Sequence, residues 1–180
     1  MQVIDYLRRL PLFSDLTEGE MLDVLRIAKV VRFKAGEYLC RIGEPGPSMY
    51  LIESGSASVR VPRPGKPPLE VRVLGAGQVI GELALVDNEP RSADVVAVED
   101  VQAYEINRVE FNKLRAQLNP AAFKILRHVA LTVSERLREL NDFATGGLES
   151  GVRPPTGRVE TPSAPPAWRR LFSSLRRSGQ

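Results

Sequence analysis

The segment Ile80-Gly-Glu-Leu-Ala-Leu85 is followed after four residues by Pro90-Arg-Ser-Ala93, which sets backbone amides, one carboxylate and one guanidinium close together in the chain. A phosphodiester anion needs N–H donors and a fixed positive charge, and a ribose hydroxyl needs an acceptor that stays ionised near neutrality. Gly81 and Ala84 supply amides, Arg91 supplies the charge with a bidentate fork, and Glu82 supplies the acceptor, which together make a sugar-phosphate pocket. Gly36-Glu37 and Gly43-Glu44 have no such sequel, so the combination carries the signal rather than the Gly-Glu pair. A strand ending near Ile80 would pass through Gly81 into a short helical turn whose first N–H groups point outward unpaired. The competing structural reading is a plain Glu82–Arg91 salt bridge on a turn.

The elements that must hold these residues are legible in the texture of the chain. Thr17-Glu-Gly-Glu20 has capping-box spacing, and Met21, Leu22, Val24, Leu25 and Ala28 follow at helical period, which predicts a helix over about 17–28. Residues 1–10 read as a short amphipathic helix rather than a signal peptide. From Val30 to Ile106, short apolar runs are punctuated by glycines about every ten residues, which predicts seven or eight antiparallel strands. Ser56–Val61 and Leu69–Leu74 alternate as half-wet strands do. The four prolines between Pro62 and Pro68 predict an exposed hairpin loop, because proline cannot donate to a ladder. Asn107-Arg-Val-Glu110 starts another helix, and Asn119-Pro120 separates it from a longer one over about 120–143. In that helix Phe123, Leu126, Ala130, Val133, Leu137, Leu140 and Ala144 form a heptad seam, with Ile125, Val129 and Thr132 as a second stripe. Two stripes suit a helix that touches its own domain on one side and a second copy on the other.

The fold class expected is therefore α+β, mainly β: an antiparallel jelly-roll barrel with flanking N-terminal helices, a long C-terminal helix and a disordered tail. Residues 1–145 form the domain, 146–167 a Gly/Pro-rich linker that starts where Gly146-Gly147 ends the helix, and 168–180 a basic amphipathic segment. The net charge of +3 is uneven: residues 151–180 hold six arginines against the single acid Glu160. The basic character belongs to the tail, so the pI of about 9.2 is poor evidence that the body binds nucleic acid. One cysteine, Cys40, and one histidine, His128, exclude an internal disulfide, a Cys/His zinc site and a Ser/His/Asp or Cys/His catalytic set built on several such residues. No metal site and no catalytic residues are expected. A cytoplasmic location follows as the simplest expectation, peripheral at a membrane if the tail binds lipid.

The order of elements and the Gly81–Ala93 segment resemble the cyclic-nucleotide-binding domain shared by the bacterial catabolite activator, the regulatory subunits of cAMP-dependent kinase and cyclic-nucleotide-gated channels. The resemblance covers roughly residues 8–143, and the phosphate-binding cassette aligns without insertion. It implies a regulatory sensor that binds cAMP or cGMP. Glu82 would accept from the ribose 2′-hydroxyl, Gly81 and Ala84 would present amides, Arg91 would pair with the cyclic phosphate, and Ser92 would touch phosphate or base. Leu83 would be a wall, with Val73 and Val79 as neighbours. The Arg-Ser-Ala sequence favours cAMP over cGMP, since it is similar to that of the catabolite activator, although the Ser92 hydroxyl suits either. A lid from the long helix would bring Thr132 or Arg136 over the base; for Arg136 an ordinary solvated arginine near Glu135 and Glu139 competes. Two residues depart from the family: Ile80 replaces a frequent aromatic, and Asp94 stands where Thr or Ser is frequent. Asp94 would repel phosphate if it faced the pocket, whereas its spacing from Arg91 sends it to the opposite face of a regular strand.

The output is expected to travel through the long helix to a homodimer seam or to the tail. No helix-turn-helix module follows that helix, so sequence-specific DNA binding is not expected. Trp168, Leu171, Phe172 and Leu175 fall on one helical face, with Arg169, Arg170, Arg176 and Arg177 opposite or flanking. That segment could dock into a protein partner, lie on an anionic membrane or fold back on its own domain. The rival function is a nucleotide-independent scaffold that retains the fold.

Overall fold

The computed structural model describes residues 7–150, with the side chains of Arg136, Glu139, Leu140 and 142–150 left aside. The expected helix at 1–10 falls mostly outside this range, as do most of the linker and the whole of the 168–180 segment.

After a 3-10 turn at Pro11–Phe13, helix α1 spans Glu18–Arg26. Its capping box is complete: the Thr17 N–H donates to Glu20 at 2.7 Å, and the Glu20 N–H donates to Thr17 Oγ1 at 3.3 Å. Eight strands follow. They are β1 (Ala28–Phe33), β2 (Tyr38–Cys40), β3 (Ser48–Ser54), β4 (Ala57–Arg63), β5 (Lys66–Leu74), β6 (Val79–Ile80), β7 (Asp94–Ala97) and β8 (Val101–Asn107). Helices α2 (Arg108–Ala116) and α3 (Pro120–Ser150) close the described chain. The strands form two four-stranded antiparallel sheets, ordered β1-β8-β3-β6 and β2-β7-β4-β5. This is the mainly β architecture with flanking helices that the glycine-punctuated texture predicts.

Two apolar clusters hold it together. Between the sheets lie Ile52, Leu74, Ile80, Val95 and Val101. Outside the first sheet, Phe13, Met21, Leu25, Met49, Tyr104 and Phe111 pack with Ala121, Ala122, Ile125 and Val129 of α3. Burial of Ile125 and Val129 fixes which side of α3 meets its own domain. Lys124 adds an ion pair with Glu20 at 2.7 Å, and Asn119 donates to Asp23 at 2.8 Å, so α3 is fastened to α1 by its first turns. The other side of α3 leaves Phe123, Ala130, Leu131, Val133 and Leu137 exposed.

Two boundaries differ from the sequence expectation. Helix α3 runs through Gly146-Gly147 to Ser150, rather than ending near Phe143 and giving way to a linker at 146. Each glycine costs a helix only about 1 kcal/mol against alanine, and propagating an existing helix is far less costly than nucleating one. The Pro62–Pro68 stretch is not a loop: β4 and β5 enclose only Pro64-Gly65, and Pro62, Pro67 and Pro68 sit within strands. They are tolerated because β7 pairs β4 only over Ala57–Arg60, so the prolines lie on a two-stranded ribbon and on the edge strand β5.

Candidate functional site

Strand β6 delivers the chain to Gly81, whose φ of 68° lies in the left-handed region, and this turn starts the 3-10 helix Glu82–Leu85. Glycine is the residue that adopts this conformation without a Cβ penalty. A cavity of about 270 Å³ opens at this point, close to the lower end of the range of roughly 300–1,000 Å³ usual for small-molecule sites. Gly81, Glu82, Leu83, Ala84, Arg91 and Ser92 all line it, so the structure brings together the six residues that the sequence singles out as ligand contacts. Val79 lines it as well. Val73 does not: Leu74 turns into the core and Val73 takes the opposite face, and Val71, Arg72 and Leu74 form that wall instead.

Arg91 is the most constrained of these residues. Its backbone is clamped by the loop between β2 and β3, where the Gly43 N–H donates to Arg91 O at 2.9 Å and the Arg91 N–H donates to Glu44 O at 3.0 Å. The guanidinium donates through Nη2 to Ser48 O at 2.5 Å and lies 5.9 Å from the Tyr50 ring centroid. It passes between two glycines. A Cβ on Gly46 would stand 1.9 Å from Arg91 Nε, and one on Gly81 would stand 2.1 Å from Nη1. No carboxylate lies within ion-pair distance of Arg91 among the described residues, which removes the Glu82–Arg91 salt bridge as an account of the segment. A guanidinium held by carbonyl and aromatic neighbours, on a cavity wall, keeps donors for an anion.

The other roles are met unevenly. Glu82 is 8% exposed and lines the cavity. The Ala84 N–H donates to Gly81 O at 3.1 Å, so this amide is engaged in the 3-10 turn rather than pointing outward. Leu83, 38% exposed, forms the rim. Asp94 is absent from the cavity wall: its Oδ1 accepts from the Ile42 N–H at 2.8 Å, and within β7 it takes the face opposite Val95, which does line the cavity. Thr132 is also absent from the wall and stands 3.4 Å from His128 Nε2, and the side chain of Arg136 lies outside the described set.

Burial pushes the Cys40 thiol up from its ordinary range, with Arg91 opposing, and does the same to the Tyr50 hydroxyl. His128, on the face of α3 that meets the site, is pulled below the usual imidazole value by burial, against the charges of Glu135, Asp15 and Glu82. No group of metal-binding residues occurs among the described residues. The sequence reading missed Gly46, whose importance depends on a contact 45 positions away, and Arg72, which carries no local motif.

Residues 30–117 match the family model described as the cyclic nucleotide-binding domain. A cyclic nucleotide-gated potassium channel of Mesorhizobium japonicum is 36% identical over 67% of this chain and 32% of that protein. A cAMP-dependent protein kinase regulatory subunit of Emericella nidulans is 35% identical over 61% of this chain and 26% of that protein. The chain thus spans about a third or less of the curated relatives it matches. The Catabolite Activator Protein of Thermus thermophilus superposes with a TM-score of 0.66 at 29% identity, covering 73% of this chain and 60% of that one.

Proposed function

From the premise that residues 30–117 form a domain of the cyclic nucleotide-binding family, we propose that this chain is a regulatory sensor whose cavity takes a 3′,5′-cyclic purine nucleotide. The observation that supports it best is Arg91, threaded between Gly46 and Gly81 with no carboxylate partner among the described residues. Arg91 takes the cyclic phosphate, Glu82 accepts from the ribose 2′-hydroxyl, and Leu83 and Ser92 close the rim. No contact in the cavity supports the preference for cAMP expected from Arg91-Ser92-Ala93. Thr132, which is absent from the cavity wall, reaches the base only if α3 moves over the cavity, and Arg136 remains the second candidate for the lid. Nucleotide binding, not catalysis, is the activity.

The relay runs through α3, which packs on the 3-10 turn that carries Glu82 and on α1. A ligand shifts such a helix only through contacts made in one of its positions. The exposed stripe of Phe123, Ala130, Val133 and Leu137 supports a homodimer through residues 120–144, and Trp168–Arg177 is the proposed contact with a partner protein or an anionic membrane surface. Titration calorimetry with cAMP and cGMP tests the reading. Binding that is lost in Arg91→Ala, with the melting temperature retained, supports it. A folded protein that binds neither nucleotide at high micromolar concentration would favour the scaffold.

A further inference from the structure

Arg108 lies outside the cavity wall, and nothing in the motif of the phosphate cassette calls on it. It is the first residue of α2 and half-buried, with no carboxylate within ion-pair distance among the described residues. A guanidinium taken partly out of water is ordinarily matched to a carboxylate. This one donates through Nη1 to the main-chain carbonyl of Asp87, where the 3-10 turn of the cassette has given way to the loop that runs to Arg91. The last carbonyls of a helical turn find no partner within it, and a cationic side chain that reaches them caps the turn and fixes where its end sits.

The main chain of Arg108 is tied to the other side of the phosphate site. Its N–H donates to Pro47 O at 2.7 Å. The neighbouring Asn107 donates through Nδ2 to Ser48 Oγ at 3.3 Å, and these two residues pair in register between β3 and β8. Ser48 O is in turn the acceptor of the Arg91 guanidinium. Arg108 thus grips the start of the strand that orients Arg91 with its backbone, and the start of the loop that carries Arg91 with its side chain. The Asp87 N–H donates to Leu83 O at 3.0 Å, so Asp87 moves with the turn that carries Glu82 rather than apart from it. Burial of Leu85 attaches that turn to the core without fixing its direction. The bond from Arg108 is directional.

We infer that Arg108 is a positioning residue for nucleotide binding: it touches no ligand, and it sets the cassette turn at the spacing from Arg91 at which ribose and phosphate are gripped together. This rests on the cyclic-nucleotide reading of the cavity. Without the Arg108 bond the turn holds its binding-competent position for only a fraction of the time, and the apparent dissociation constant rises by the inverse of that fraction. The base takes no part, so the effect has the same size for either purine.

Titration calorimetry on the full chain with cAMP and cGMP, well below the melting temperature, tests the assignment. Under those conditions a loss of global stability alone leaves the dissociation constant and the stoichiometry where they were. Arg108→Met should weaken both nucleotides by the same factor, about 10-fold for a competent fraction lowered to about one tenth, at unchanged stoichiometry. Arg108→Lys, which keeps a cationic donor for the Asp87 carbonyl, should recover most of the affinity. If Arg108→Met does not fold, Arg108→Gln, uncharged and too short for that carbonyl, takes its place. A lowered melting temperature with both dissociation constants unchanged would make Arg108 a strut of the fold alone and overturn the inference. Weakening confined to one nucleotide, or Arg108→Lys as weak as Arg108→Met, would do the same. If the wild-type protein binds neither nucleotide, the function proposed above fails and takes this inference with it, a result distinct from binding that ignores Arg108.

Discussion

Gly46 is 45 positions from Arg91 in the chain, yet substituting it should impair phosphate binding without touching any group that contacts phosphate. A Cβ there would lie 1.9 Å from Arg91 Nε, 2.4 Å from Cζ and 2.5 Å from Cδ. Ordinary non-bonded separations start near 3.5 Å, so the Gly46→Ala methyl forces the guanidinium to retreat by about 1.5 Å. Backbone strain does not intervene, because Gly46 is not among the glycines with positive φ. A displacement of that size breaks the alignment of at least one charge-assisted hydrogen bond, worth about 1.5–3 kcal/mol. The dissociation constant should rise about 10- to 150-fold. The phosphate is common to cAMP and cGMP, so both should weaken by the same factor in calorimetry. The fold should survive, since the backbone of Gly46 suits alanine and the atoms that must give way belong to the far end of the Arg91 side chain. Gly19→Ala, where a Cβ meets nothing within 4 Å, is the matched control and should leave affinity alone. Unchanged affinity in Gly46→Ala, or weakening confined to one base, would refute the placement of the phosphate on Arg91.

Asp94→Ala removes the acceptor of the Ile42 N–H and should cost about 1 kcal/mol, or about 2–4 °C in the melting temperature, with nucleotide affinity unchanged. A marked gain in affinity would instead put the carboxylate beside the phosphate. His128 is held below the usual imidazole value of 6.5, so between its folded value and 6.5 the unfolded chain binds more protons than the folded one. Stability from this group should be intact above about pH 6.5 and fall as the pH drops below it, and His128→Gln should flatten that part of a melting-temperature profile. A profile identical in both proteins would mean that another group carries the loss.

The cassette was legible because its chemistry is local: Gly81, Glu82 and Arg91 reach the same cavity through one turn and one short loop. The capping box at Thr17 and Glu20 was legible for the same reason, both partners being three residues apart. Asp94 is off the cavity wall as expected, but not by alternation with Arg91, which precedes β7; it is held by the Ile42 N–H. What escaped depends on packing between distant segments. Gly46 matters only through its distance to Arg91, and Arg108 only through its reach to the Asp87 carbonyl. The prolines of 62–68 were read from backbone chemistry as a loop, because pairing partners, and so the fact that β4 outruns β7, are not written in a local window. The motif points the amide of Ala84 outward, whereas the tightness of a 3-10 turn folds it back onto Gly81. The length of α3 is not legible from its glycine pair, which reads as a stop, because a helix already nucleated propagates through a modest local penalty.

The prolines on the β4–β5 ribbon have a bearing on how this protein behaves when concentrated. An open sheet edge is a template on which another chain can add a strand. On β5, the adjacent Pro67 and Pro68 face opposite sides of the strand, so one of them removes a donor from the outer row, and Lys66 and Glu70 put charge beside it. Two of the other edge strands are short, β2 with three residues and β6 with two, and the remaining edge, β1, carries Lys29 and Arg32 with their surfaces exposed. Each border of the two sheets is thus truncated, charged or stripped of donors. Molecules crowded together have little backbone to share, so self-association is left to side chains, and the exposed stripe of α3 is the surface that offers them.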